Sequence, residues 1–89
     1  MTDSYSVSFR SSANKDLYAL PKSLASRVVE RIEGLRSEPF PRQAIKLSGV
    51  ERLYRVRVGD YRIVYEVDTQ AKEITIQYIR HRRDVYRNL

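Results

Sequence analysis

Apolar residues alternate with polar ones in several short stretches and recur every three or four residues in others, so the chain reads as strand, two helices, then consecutive strands. Tyr5, Val7 and Phe9 alternate with Ser6 and Ser8, predicting a short strand with one buried face. Ser11 or Ser12 is then placed to cap a helix running to about Leu20, with Leu17 and Leu20 inward. Pro21 suits the first turn of a second helix, in which Leu24, Val28, Ile32 and Leu35 form an amphipathic stripe. That helix should end near Arg36, because Glu38-Pro39-Phe40-Pro41 cannot continue it. Arg42 to Glu51 reads as a connector with a Ser48-Gly49 turn.

The stretch from Tyr54 to Val67 organises the rest of the chain. Tyr54, Val56 and Val58 alternate with Arg55 and Arg57, Gly59-Asp60 interrupts, and Tyr61, Ile63, Tyr65 and Val67 resume the apolar phase, which predicts a β-hairpin. Glycine at the first central position suits a type II′ turn. With a two-residue loop, Val58 faces Tyr61, Arg57 faces Arg62, Val56 faces Ile63 and Arg55 faces Val64, so Arg55, Arg57 and Arg62 share one face. A one-residue slip would move them all. A last strand is marked by Ile74, Ile76 and Tyr78, with Thr75, Gln77 and Ile79 on its other face. The fold class expected is α+β: a short N-terminal strand, a helical hairpin and a three-stranded antiparallel meander, with the helices packed on one sheet face.

Eighty-nine residues make one domain, 1–89, with a single modest core. The absence of cysteine removes a disulfide framework and thiolate-bound zinc. The N-terminus lacks the basic start and apolar run of a signal peptide, and no apolar stretch approaches membrane-spanning length, so a cytoplasmic protein without a membrane partner is expected. The net charge of +6 points to an acidic partner, nucleic acid or an acidic protein. Thirteen of the seventeen basic residues are arginine. That bias favours phosphate, which arginine grips through a planar fork.

Opposed arginines cost stability in a sheet, so the pairing of Arg57 with Arg62 needs a reason. Either the side chains splay into water along their stems, or the face receives an anion. A phosphate-bearing ligand accounts better for three arginines accompanied by Tyr54, Tyr61 and Tyr65. Metal chemistry has little to use: His81 is the single histidine and the eleven acids are scattered, so no metal or other cofactor is expected. RNA needs less from a protein than other substrates, because its 2′-hydroxyl is a nucleophile already beside the scissile phosphate. The protein must align it, neutralise developing charge and move protons. Arg55, Arg57 and Arg62 are the candidates for charge stabilisation. Arg80 is a phosphate clamp or an exposed strand-end charge, Tyr86 a base-stacking or proton-transferring residue or a surface anchor, and His81 an auxiliary group or a solvated one. The run Arg80-His81-Arg82-Arg83-Asp84-Val85-Tyr86-Arg87 is a solvated tail unless Val85 and Tyr86 tether it.

Three segments together, Lys46-Leu47-Ser48-Gly49, Tyr54 to Tyr65 and Arg80 to Arg87, resemble the RelE/ParE superfamily of toxin–antitoxin toxins, on the RelE side. The resemblance covers nearly the whole chain. It implies a ribosome-dependent, metal-independent endoribonuclease that cuts mRNA in the A site, leaving a 2′,3′-cyclic phosphate and a 5′-hydroxyl. It also implies a RelB-like antitoxin with an acidic segment, and operator DNA bound only through the toxin–antitoxin complex. Carried onto this chain, the family's site becomes Arg55, Arg57, Arg62, Arg80 and Tyr86. Family members with strong activity often carry lysines at the first two positions; arginine there cannot deprotonate, so those side chains are restricted to electrostatics. The alternative implied by the same superfamily is a ParE-like noncatalytic toxin that inhibits DNA gyrase. A noncatalytic RNA-binding module would use the same arginines and tyrosines for contact and stacking.

Overall fold

The structure, a computed structural model, describes residues 4–47 and 52–83. The Ser48-Gly49 turn and the Asp84 to Arg87 segment, with Val85 and Tyr86, lie outside the described residues. The elements run β1 (Ser6–Phe9), α1 (Ser11–Ala19), α2 (Lys22–Leu35), β2 (Ile45–Lys46), β3 (Leu53–Val58), β4 (Tyr61–Asp68) and β5 (Glu73–His81). They form a five-stranded sheet in the order β1-β5-β4-β3-β2. The expected meander is its centre. Two pairings extend it: β1 joins β5 in parallel, and the two-residue β2, inside the expected connector, pairs antiparallel with β3.

The helices form where the apolar spacing put them, with different ends. Neither Ser11 nor Ser12 caps α1: Arg10 occupies the N-cap position without a side-chain bond, while the Ser12 hydroxyl donates to the Gln77 carbonyl at 2.9 Å. Pro21 is the N-cap residue of α2, where its missing N–H costs nothing. Leu35 closes α2 and Arg36 caps it. Val28, Ile32 and Leu35 bury against Val56, Ile63, Tyr65, Ile74 and Ile76, so the α2 stripe and one sheet face make the core. Tyr65, fully buried, donates its hydroxyl to the Pro39 carbonyl at 2.8 Å, and its ring stacks near Tyr54, which in turn meets Phe40 edge-on. The chain leaving α2 is thereby pinned to the hairpin.

The β3–β4 register is the one the sequence predicts: Val58 opposite Tyr61, Arg57 opposite Arg62, Val56 opposite Ile63 and Arg55 opposite Val64. Gly59 has φ 59°, whereas Asp60 is not among the residues with positive φ, as a type II′ turn requires. The phase expected for β5 needs correction. A bulge sets Ile76 opposite Tyr65 and Tyr78 opposite Val64, so Gln77 is the extra residue. Beyond it the alternation inverts. Ile79, expected on the outer face, is buried in the core opposite Ile63, and Tyr78 turns outward. The same inversion carries Arg80 to the outer face, opposite Arg62; unbroken alternation from Ile74 would have aimed it into the core.

Candidate functional site

The outer sheet face presents two cross-strand rows. Arg57, Arg62 and Arg80 stand opposite one another on β3, β4 and β5, and the neighbouring row is Arg55, Val64 and Tyr78. Adjacent strands lie about 4.8 Å apart, so three guanidinium stems cross roughly 10 Å of sheet. The hairpin fixes Arg55, Arg57 and Arg62; the bulge adds Arg80. A cavity of about 300 Å³ opens on this face, lined by Gln43, Ile45, Arg55, Val56, Arg57 and Arg62. Gln43 and Ile45 reach it because the connector is tied down through Pro39 and Phe40.

Arg62 is the anomaly of the site. It is 8% exposed, the one charged residue buried among those described, and its Nε has no hydrogen-bond partner. Among the described residues no carboxylate forms an ion pair with Arg55, Arg57 or Arg62. Charged groups withdrawn from water are ordinarily paired, and this one lies between two further arginines. Arg80, by contrast, is positioned. Asp16 of α1 accepts the Ile79 N–H at 3.0 Å, and the same Oδ2 is 3.8 Å from the Arg80 Nε. The Arg80 guanidinium also lies over the Tyr78 ring, 4.6 Å from its centre. One carboxylate thus satisfies the β5 edge where β1 has ended and steadies an arginine of the row.

The structure brings together Arg55, Arg57, Arg62 and Arg80. It does not bring His81 to them. His81 faces Tyr61 in register, meets that ring edge-on at 5.3 Å and accepts the Arg83 N–H on Nδ1 at 3.2 Å, so alternation and contacts place it away from the arginine row. Tyr86 lies outside the described residues. Sequence reading missed Gln43, Asp16 and Tyr78. Tyr78 had a signal, since a strand phase traced backward from Arg80 as an outward residue puts it outward too. Among the described residues no three His, Cys, Asp or Glu side chains converge to hold a metal ion, and no helix is long and apolar enough to cross a membrane.

Such an arrangement can bind and polarise a phosphate. Guanidinium forks match its oxygens in pairs, and their charge persists at any working pH. Comparison with known proteins agrees with the fold. Residues 7–86 match the family model for the ParE toxin of type II toxin–antitoxin systems. The toxin RelG of Mycobacterium tuberculosis is 32% identical over 84 residues, covering 93% of this chain and 97% of that protein. The RelE–RelB complex of Pyrococcus horikoshii aligns with 39% identity and a TM-score of 0.79, over 92% of this chain and 97% of that one. The RelBE2 toxin–antitoxin complex of M. tuberculosis aligns with 31% identity and a TM-score of 0.78, over 91% and 94%. The chain therefore belongs to the RelE/ParE superfamily of type II toxin–antitoxin toxins, and within it is RelE-like.

Proposed function

We propose that this toxin is a ribosome-dependent endoribonuclease that cleaves mRNA in the A site without a metal ion. The observation that carries the reading is Arg62, a buried arginine at the centre of the row Arg57–Arg62–Arg80 that has no carboxylate partner among the described residues. A protein that needed these residues only for folding would pair them. In the reaction the 2′-hydroxyl attacks the adjacent phosphorus, the bond to the 5′-oxygen breaks, and the two ends are a 2′,3′-cyclic phosphate and a 5′-hydroxyl. The 2′-proton must leave and the 5′-oxygen must gain one. Arg55, Arg57 and Arg62 act on the charge that builds on the non-bridging oxygens, and Arg80, held by Asp16 and Tyr78, acts beside the leaving oxygen. None of the four can serve as a base. Proton transfer is assigned to Tyr86, and His81, committed to Tyr61 and Arg83, is left an auxiliary role at most.

The relatives crystallised with RelB support a RelB-like antitoxin as partner; the arginine face calls for an acidic segment in it, and operator DNA is proposed to be bound only through that complex. The cytoplasm, where ribosomes and mRNA meet, is the corresponding location. The match to a ParE model favours a second reading, in which the fold binds DNA gyrase and the arginines serve recognition.

Ribosomes programmed with a defined mRNA, with the ends of the products mapped, separate the two. Cuts confined to the A site, absent without ribosomes and reduced at least about 10²-fold in Arg62→Ala, are expected. Intact mRNA together with an induced DNA-damage response on expression would establish the gyrase-directed reading instead.

A further inference from the structure

A second cavity, of about 390 Å³, opens between α2 and the β3–β4 turn, lined by Arg27, Glu30, Arg31 and Gly34 of the helix and by Arg57 and Gly59 of the hairpin. Four features mark it as more than a surface dip. The Arg31 Nε is buried without a hydrogen-bond partner, the only described side-chain atom besides the Arg62 Nε in that position. Among the described residues no carboxylate forms an ion pair with Arg27, Arg31 or Arg57, even though Glu30 shares the cavity. Arg27 and Arg31 also repel one another as i, i+4 neighbours on α2, so their charges are not arranged for the helix's benefit. Gly34, within α2, has nothing within 4 Å of where a Cβ would stand, so packing does not require a glycine there. A helical glycine costs stability, and here it keeps the wall of the cavity low.

Arg57 lines both this cavity and the one on the arginine face, so the two adjoin at that residue. We propose that the Arg31 cavity is a second phosphodiester subsite, holding a backbone phosphate of single-stranded RNA next to the one held among Arg55, Arg57 and Arg62. Three arginines against one glutamate leave it cationic with one anion bound. The subsite rests on the RNA-directed reading of the arginine face. It contributes affinity and register; the reacting atoms remain at the first site.

The test is cleavage on programmed ribosomes by the full chain and by Arg31→Gln, Arg31→Lys and Gly34→Glu, with kcat and KM resolved across a salt series. Arg31→Gln should raise KM about tenfold, as for one lost charge-assisted contact, with kcat held within about twofold. The slope of log KM against log salt should fall by about 0.7, one phosphate contact. Lysine should recover most of the loss. Gly34→Glu, a solvent-side change that brings a carboxylate to the cavity, should raise KM at least as much even if an Arg31 variant folds poorly. Binding to empty and to programmed ribosomes then separates the sources: a defect only on programmed ribosomes assigns the phosphate to mRNA, and a defect on both assigns it to ribosomal RNA. Unchanged KM and salt slope in folded Arg31→Gln and Gly34→Glu overturn the subsite while wild-type cleavage keeps the parent reading. Absence of wild-type cleavage overturns both.

Discussion

Replacing Arg62 with methionine should stabilise the isolated toxin while removing its activity. Arg62 is 8% exposed, its buried Nε has no partner among the described residues, and it stands opposite Arg57 on one side and Arg80 on the other. Each like-charged cross-strand pair costs about 0.2–1 kcal/mol, and an unsatisfied buried N–H costs about 1–3 kcal/mol. Methionine keeps an unbranched apolar stem of similar reach and removes both costs, so the variant should gain about 2 kcal/mol. For a chain of this size that is roughly 8–16 °C in Tm. Thermal and urea unfolding of the antitoxin-free protein measure it. Sulfate offers a companion measurement: it should raise the Tm of the wild type and have a smaller effect on Arg62→Met, because an anion bound at the arginine cavity stabilises only a fold that binds it. A variant with unchanged or lowered stability would refute the reasoning. Arg62 would then be a structural residue satisfied by its surroundings, and its burial would say nothing about a ligand.

Other consequences arise from the contacts around the site. Asp16→Ala should cost about 1 kcal/mol in urea unfolding, because the Ile79 N–H loses its acceptor, and should lower kcat by freeing Arg80; Asp16→Asn, which keeps an acceptor, should recover stability more than kcat. Tyr65 ionises well above the ordinary tyrosine value of 10.0, first because it is buried and second because Tyr54 is near, with Arg31 opposing. Its contribution is therefore full below about pH 10 and is lost as pH rises further, so the stability of Tyr65→Phe should be lower by about 1 kcal/mol at neutral pH yet fall less steeply above pH 10. The Asp68 carboxyl is held below its ordinary value of 3.8, chiefly by the Ala71 N–H and also by Arg52 and the Gln70 N–H, against some desolvation. That stabilisation is present above about pH 4 and lost as pH falls below it, so wild type should lose more stability than Asp68→Asn in unfolding between pH 5 and pH 2.

The hairpin was legible because two local signals agree, a period of two on each side and a Gly-Asp pair that admits only a short loop. Register followed from them, and with it Arg55, Arg57 and Arg62 on one face. α2 was equally plain, since four apolar residues at helical spacing have one way to be buried together. What the chain hid was non-local or phase-breaking. The parallel pairing of β1 with β5 joins residues more than sixty positions apart and leaves no local mark. The bulge at Gln77 falls where Tyr78 and Ile79 are both apolar, so either phase suits the pattern and the inversion that delivers Arg80 went unread. Asp16 looks like any exposed helical acid until α1 is laid along the end of β5. Arg31 and Arg62 are two arginines among thirteen; only packing distinguishes them.

The most direct test of the proposed cleavage through a 2′-hydroxyl nucleophile at the arginine face is an A-site codon carrying a single 2′-deoxy nucleotide on the 5′ side of the scissile bond, in programmed ribosomes, beside the all-ribose message. Loss of cleavage at that bond, with the ribose message cut to a cyclic phosphate end, is the predicted result. Cleavage of the deoxy substrate at the rate of the all-ribose message would mean that water attacks the phosphorus, and would contradict the roles proposed for Arg55, Arg57, Arg62 and Arg80 in stabilising attack by the 2′-oxygen.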